Sequence, residues 1–190
     1  MKNSTRDVRL KALLLTGALV VAGGLGIAWL PDKLNPQPAD SVESRAAHAR
    51  DKTESEIDQR FERGVALLNE KQYQAALKEF HRVLELSPTL PEAHVNAGYA
   101  LLGLKRYSVA RDFFEGALAL RKNQLNAYYG LAEALAGLND LPGALGAMRT
   151  FVHLSLPGDP YRHKAEAAVR EWEAKVTRAP ALSGASKAEP

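Results

Sequence analysis

Hydrophobic and polar residues fall along this chain in three regimes. Residues 12–30, ALLLTGALVVAGGLGIAWL, carry no charge. Residues 31–55 turn polar; Pro31, Pro36 and Pro38 favour extended chain and SVESRAAHARDKTES has weak helical character, so this stretch reads as a linker. From residue 56 apolar side chains return at helical spacing, and the pattern repeats every 34 residues. Gly64, Gly98 and Ala132 form one rung of that ladder, Ala76, Ala110 and Ala144 a second, and Phe80, Phe114 and Met148 a third. A period of this length marks stacked pairs of helices.

The middle unit predicts one helix from about Glu92 to Leu104 and another from about Ser108 to Leu120. The small rungs at 64, 98 and 132 are expected to face the alanines at 76, 110 and 144, bringing paired backbones close. The large rungs then fill the space between neighbouring pairs. Ser55 with Asp58 three residues later is a capping-box pattern, which sets the expected start of the stack. Gln59, Arg60 and Arg63 give the first unit a polar outer face where the later units have Ala93, His94 and Ala97 and then Ala127, Tyr128 and Leu131, as a terminal unit requires. At the other end Asp159 and Pro160 open a helix carrying Tyr161, Ala165, Ala168, Val169, Trp172 and Val176 on one face. This helix, 159–178, is expected to close the stack; Pro180 should end it, leaving 179–190 as a disordered tail.

The rungs resemble the tetratricopeptide repeat signature, in which W-x2-L-G-x2-Y precedes A-x3-F and a later proline. Ala76 with Phe80 and Ala110 with Phe114 fit its second half, Ala144 with Met148 nearly so, Gly64 and Gly98 supply the glycine, and Pro88 the closing proline. Arg60, His94 and Tyr128 replace the tryptophan, and Lys122 and Leu156 the later prolines. The expected fold is therefore all-α: a solenoid of three repeats over 56–158 plus a capping helix, preceded by one transmembrane helix. The resemblance implies a right-handed superhelix whose first helices line a concave groove for a partner peptide or amphipathic helix. The residues it places there are Phe61, Val65, Leu68, Val95, Asn96, Tyr99, Leu102, Tyr129 and Glu133, with Asp58 and Glu92 on an acidic rim. Members of the family that hold a terminal carboxylate do so with lysines and asparagines. Only Asn96 matches that set, and no lysine is expected in the groove.

The amino-terminal regime bears on location. At 1.5 Å per residue, 12–30 would span about 28 Å, close to the hydrocarbon core of a bilayer. Residues 1–11 form a basic flank, with Lys2, Arg6, Arg9 and Lys11 against Asp7, while Lys33 beside Asp32 follows the apolar run. The positive-inside bias then keeps the amino terminus cytoplasmic and puts the repeats outside the cytoplasmic membrane, with Trp29 at the outer interface. A cleaved secretory signal ending at Gly26-x-Ala28 is the competing reading; the length of the apolar run favours a signal anchor. Ala18, Ala22 and Gly26 follow the small-xxx-small spacing through which membrane helices self-associate.

Charge and composition narrow the chemistry. The net charge of +3 lies largely in the basic flank, so the repeats lack the cationic stripe that nucleic acid demands. With no cysteine there is no disulfide, thiolate metal site or thiol nucleophile. The histidines, His48, His81, His94, His153 and His163, have no mutual pairing at metal-ligand spacing, and neither a phosphate loop nor a nucleophile elbow is present. No catalytic residue, metal or cofactor is expected. The sequence points to a membrane-held scaffold or adaptor for assembling an envelope complex, such as cytochrome-maturation, secretion, pilus or polysaccharide machinery. Its alternatives are a soluble exported adaptor and the non-catalytic subunit of an envelope enzyme.

Overall fold

The computed structural model describes residues 42–185, with side chains as far as Arg178. Among them are seven helices and no strand: α1 (Val42–Asn69), α2 (Tyr73–Leu86), α3 (Pro91–Gly103), α4 (Tyr107–Leu120), α5 (Leu125–Gly137), α6 (Leu141–Leu154) and α7 (Arg162–Ala185). By internal contacts the chain divides into Met1–Arg50 and Asp51–Pro190, and the contacts that stack the helices lie within the second unit. The uncharged segment 12–30 and its flank are outside the described residues, as are Ala18, Ala22 and Gly26. No described helix is long and apolar enough to cross a membrane.

The three repeats are α1 with α2, α3 with α4, and α5 with α6. In each, the turn two residues past the first helix holds a non-glycine residue in the left-handed region: Lys71 at φ 60°, Lys105 at φ 58° and Asn139 at φ 63°. The following amides, Gln72, Arg106 and Asp140, donate to the carbonyls of Leu67, Leu101 and Leu135 at 2.8, 2.9 and 2.9 Å. This closure satisfies carbonyls at the helix end and reverses the chain in a few residues. Pro91 then starts α3, where its missing N–H is harmless, and the Asp140 carboxylate caps α6 by accepting from Gly143 N at 3.0 Å.

Packing within the pairs adds an aromatic partner that the expected register did not name. The alanine rung is fully buried, Ala76, Ala110 and Ala144 all at 0 % exposure. At Gly64 and Gly98 the atoms nearest the missing Cβ belong to aromatic rings. A Cβ on either would lie 2.7 Å from the Cε1 of Phe80 or Phe114. The glycine makes room for a ring of its own repeat, and a backbone Cβ would collide with it. Phe114 also covers Gly130 of the next repeat, so a large rung fills the pair and the gap beyond it together. Burying each such ring contributes about 1.5–3 kcal/mol. In the third repeat Ala132 and Met148 replace the glycine and phenylalanine, and both are buried in one cluster with Phe151 and Ala165.

A further rung runs between repeats. Tyr73 lies on Gly103 and Tyr107 on Gly137, with 2.5 Å from an ideal glycine Cβ to the nearest ring carbon. The corresponding residue of the third repeat is Leu141, beyond which no further repeat supplies a glycine. Consecutive first helices also touch, α3 against α5, with no comparable contact between α2 and α4 or between α4 and α6. Between the second and third repeats the first helices are therefore the more tightly drawn side.

Both ends differ from expectation. The linker was expected to reach Ser55, but α1 is continuous from Val42, and Ser55 sits inside it, accepting from Gln59 Nε2 at 3.0 Å. Ser55 and Asp58 are one helical turn apart in either arrangement, so their spacing alone could not mark a boundary. Arg60 ties α1 to α2 through Glu79 at 3.0 Å and also meets Glu56 at 2.8 Å. This gives the polar outer face a structural use. At the far end the Asp159 carboxylate accepts from Tyr161 N at 2.8 Å and α7 follows. Ala165 is fully buried, and Ala168, Val169 and Trp172 pack on the third repeat. The helix passes Pro180 and runs to Ala185, so Pro180 does not stop it. A proline forfeits one hydrogen bond and crowds the carbonyl four residues earlier, which weakens a helix without obliging it to end.

Candidate functional site

The first helices α1, α3 and α5 bring the expected groove residues to one side of the stack, at different depths. Val95 at 4 % exposure and Tyr129 at 7 % belong to the hydrophobic core. Phe61, Val65, Leu68, Tyr99 and Leu102 are half-buried and pack against that core. Phe61 meets Phe80 edge-on with centroids 5.9 Å apart, and Tyr99 meets Phe114 at 5.2 Å. Asn96 and Glu133 are partly exposed, whereas Asp58 is exposed. Glu92 is engaged by Arg121.

Two hollows open on this side. One, of about 400 Å³, is lined by Leu68, Asn69, Tyr73, Asn96, Tyr99, Gly103 and Tyr161. The other, of about 250 Å³, is lined by Tyr99, Asn126, Tyr129, Glu133, Phe151, Tyr161 and Lys164. Tyr99 and Tyr161 border both. Tyr99 is fixed by its hydroxyl, which donates to the Asn126 carbonyl at 2.8 Å across to α5. Tyr129 is fixed by Phe151, edge-on at 5.2 Å, and Tyr161 stands 5.7 Å from Tyr129 at a tilt of 59°. Rings locked from behind present rigid edges to whatever enters.

The electrostatics centre on Glu133. Burial raises its carboxyl above the ordinary carboxylate range, and the field of Lys164 opposes that rise. Burial likewise pushes the Tyr99 and Tyr129 phenols upward, with the Glu133 charge adding to it. All three shifts have one origin, a recess that solvates charge poorly. Glu133 makes no ion pair among the described residues, whereas acidic groups elsewhere in the stack commonly do: Glu79 with Arg60 at 3.0 Å, Glu166 with Arg162 at 2.9 Å, Glu173 with Arg149 at 2.6 Å. No described group of three or more His, Asp or Glu side chains could hold a metal ion.

Sequence reasoning did not find Tyr161, Lys164, Asn126 or Tyr73 for this surface. The lysine-free groove it expected is corrected by Lys164, delivered from outside the repeats by the turn of chain that opens α7. Tyr73 did carry a signal, since Tyr107 follows it at the repeat spacing. Two hollows lie away from the groove, of about 460 Å³ between α6 and α7 and about 950 Å³ along α2. Their guanidiniums are largely committed: Arg162 to Glu166 and to the carbonyls of Val152 and Ser155, Arg149 to Glu173, and Arg82 to Glu56 and Glu85.

Comparison with known proteins agrees with this geometry. Residues 91–124, which are α3, α4 and the turn after them, match the tetratricopeptide repeat family model. No curated protein sequence matches the chain. Among solved structures it is similar to MamA 41-end from Desulfovibrio magneticus RS-1, with 27 % identity over 67 % of this chain and 70 % of that one at a TM-score of 0.57. It is also similar to PcrH in complex with the chaperone binding region of PopD, with 19 % identity, 64 % and 94 % covered and a TM-score of 0.61. The first TPR of Spaghetti (RPAP3) bound to the HSP90 peptide SRMEEVD gives 20 % identity, 65 % and 94 % covered and 0.60. The fold is thus a tetratricopeptide-repeat-like solenoid.

Proposed function

We propose that this protein is a membrane-held scaffold whose repeats dock a polypeptide segment in the groove of α1, α3 and α5. The observation that carries the reading is the pair of adjoining hollows joined by Tyr99 and Tyr161, walled by fixed aromatic rings on the side where first helices meet. Peptide-bound relatives in fold support it: Spaghetti with an HSP90 peptide and PcrH with a region of PopD. A strip of aromatic rings interleaved with asparagines, one carboxylate and one ammonium suits a short peptide or one side of an amphipathic helix.

The uncharged run 12–30 supports anchoring in the cytoplasmic membrane with the repeats on its outer face, and Ala18, Ala22 and Gly26 support close approach of two anchors. Tethering would raise the local concentration of the groove beside other envelope proteins, so modest affinity suffices to assemble them. A soluble exported adaptor is what remains if the segment is cleaved, and sequencing the mature amino terminus distinguishes the two.

The docking test is affinity capture from detergent-solubilised membranes, with the wild type beside an Asn96→Glu, Tyr161→Glu double variant. Both side chains line the groove and neither lies in the core, so the fold should survive, as circular dichroism will show. Partners lost from the variant support groove docking. Partners retained equally by both would refute it.

A further inference from the structure

The 250 Å³ hollow lies just under the roughly 300–1,000 Å³ of ordinary small-molecule sites, which suits one side chain of a bound segment rather than a free metabolite. Its walls are the rings of Tyr99, Tyr129, Tyr161 and Phe151, and its polar groups are Asn126, the Glu133 carboxylate and the Lys164 ammonium. We infer that this recess receives a cationic side chain, lysine or arginine, of the docked partner, which pairs with Glu133 among the aromatic rings.

Three observations converge on this occupant. The aromatic rings present negative faces and phenolic oxygens, the surroundings in which an ammonium or guanidinium is held. Glu133 stands at the recess without an ion pair, and a half-buried carboxylate is the one polar group there that gains a full opposite charge from such a guest. Lys164, the cation whose field reaches Glu133 and which reaches the Tyr129 hydroxyl, is exposed and comes from α7 rather than from the groove helices, so a guest cation competes with it for the recess and can displace it into solvent. An acidic guest could pair with the exposed Lys164 only by also bringing its charge against Glu133 in a poorly solvating recess, a repulsion several times stronger than in water. The occupant rests on the proposed groove docking, and it narrows the partner to a segment with a basic anchor beside apolar residues.

The test uses the full-length chain in detergent micelles and four small probes with alkyl chains of three to five carbons: n-butylammonium, n-butylguanidinium, neutral 1-pentanol and n-butyrate. Titrations are followed by NMR of selectively labelled tyrosine rings, with Tyr99, Tyr129 and Tyr161 assigned by substitution. Both cations should perturb these rings saturably and bind on the order of tenfold more tightly than pentanol. Glu133→Gln should reduce cation binding on the order of tenfold and leave pentanol unchanged, while Lys164→Met should strengthen cation binding. Equal binding of pentanol and the cations, preference for butyrate, or indifference to Glu133→Gln would each overturn the inference. Each of these can occur while the Asn96→Glu, Tyr161→Glu variant still loses its partners, in which case groove docking stands and only the basic anchor fails. If that variant keeps its partners while the cations still bind, the recess is real and the groove reading fails.

Discussion

Phe114 rests its ring on the bare backbone of Gly98, where a Cβ would lie 2.7 Å from Cε1. Gly98→Ala must therefore displace a ring that is also held against Gly130 and meets Tyr99 at a centroid distance of 5.2 Å. Overpacking of this kind costs roughly 1–3 kcal/mol. The third repeat shows the remedy, with Ala132 where the glycine would be and flexible Met148 in place of the ring. In a Phe114→Met background, Gly98→Ala should cost less by about 1 kcal/mol or more, a coupling that urea denaturation of the four proteins in a double-mutant cycle can read. Additive costs would show that the ring and the glycine do not constrain each other.

The turns between paired helices offer a gain in stability. Lys71 and Lys105 hold positive φ, a region that crowds Cβ against the backbone and that glycine adopts freely. Lys105→Gly should stabilise the chain by about 0.5–1 kcal/mol, less than the strain removed because glycine also loosens the unfolded state. Lys105→Val should destabilise it. Thermal melts of both variants check the pair, and a Lys105→Val chain as stable as the wild type would contradict the left-handed turn.

These two contacts also show what sequence alone could deliver. The rungs at 64, 76 and 80 repeat because each repeat solves the same packing problem, so the helix pairs were legible, and in the middle repeat their ends fell within a residue of those observed, whereas α1 begins at Val42 rather than near Ser55. Which large side chain each small rung accommodates was not legible, because a period tells that positions are equivalent and is silent on their partners; hence the fit of Phe114 over Gly98 went unread. The turn rung of Lys71, Lys105 and Asn139 was present at the same spacing, but lysine carries no turn signature of its own. Tyr161 and Lys164 were beyond any periodic argument, since they belong to the one segment that has no counterpart in the repeats. The groove floor was found as a face, while Val95 and Tyr129 proved to be core, because helical spacing assigns direction and depth depends on the neighbouring helix.

Glu133 gives the stack a pH signature. Its carboxyl is raised in the folded chain above its unfolded value, so between the two the folded state binds more protons than the unfolded one. Stability from this group is present at low pH and declines as pH rises from the ordinary carboxylate range through the raised value. The groups facing it are Tyr99, Tyr129, Tyr161 and Lys164, and the field of Lys164 limits the rise without reversing it. Glu133→Gln should remove the decline, so its stability relative to the wild type should improve as pH increases from 4 to 7. Denaturation midpoints that run parallel for the two proteins over this interval would show that the carboxylate is fully solvated.

Tyr161 and Trp172 separate recognition from support at the end of the stack. Tyr161 is 55 % exposed and edges both hollows, whereas Trp172 packs with Ala168 and Val169 on the cluster of Ala132, Met148 and Phe151. Removing a half-buried indole should cost about 2 kcal/mol, below the 3–5 typical of a fully buried one. Trp172→Ala is therefore expected to lower the melting temperature while partner capture by the folded fraction is retained. Tyr161→Ala should do the reverse, changing stability by less than about 0.5 kcal/mol, as exposed positions do, and reducing capture. If Tyr161→Ala melts early and Trp172→Ala does not, the turn that opens α7 is a structural clasp, and the wall it contributes to the recess is incidental to binding.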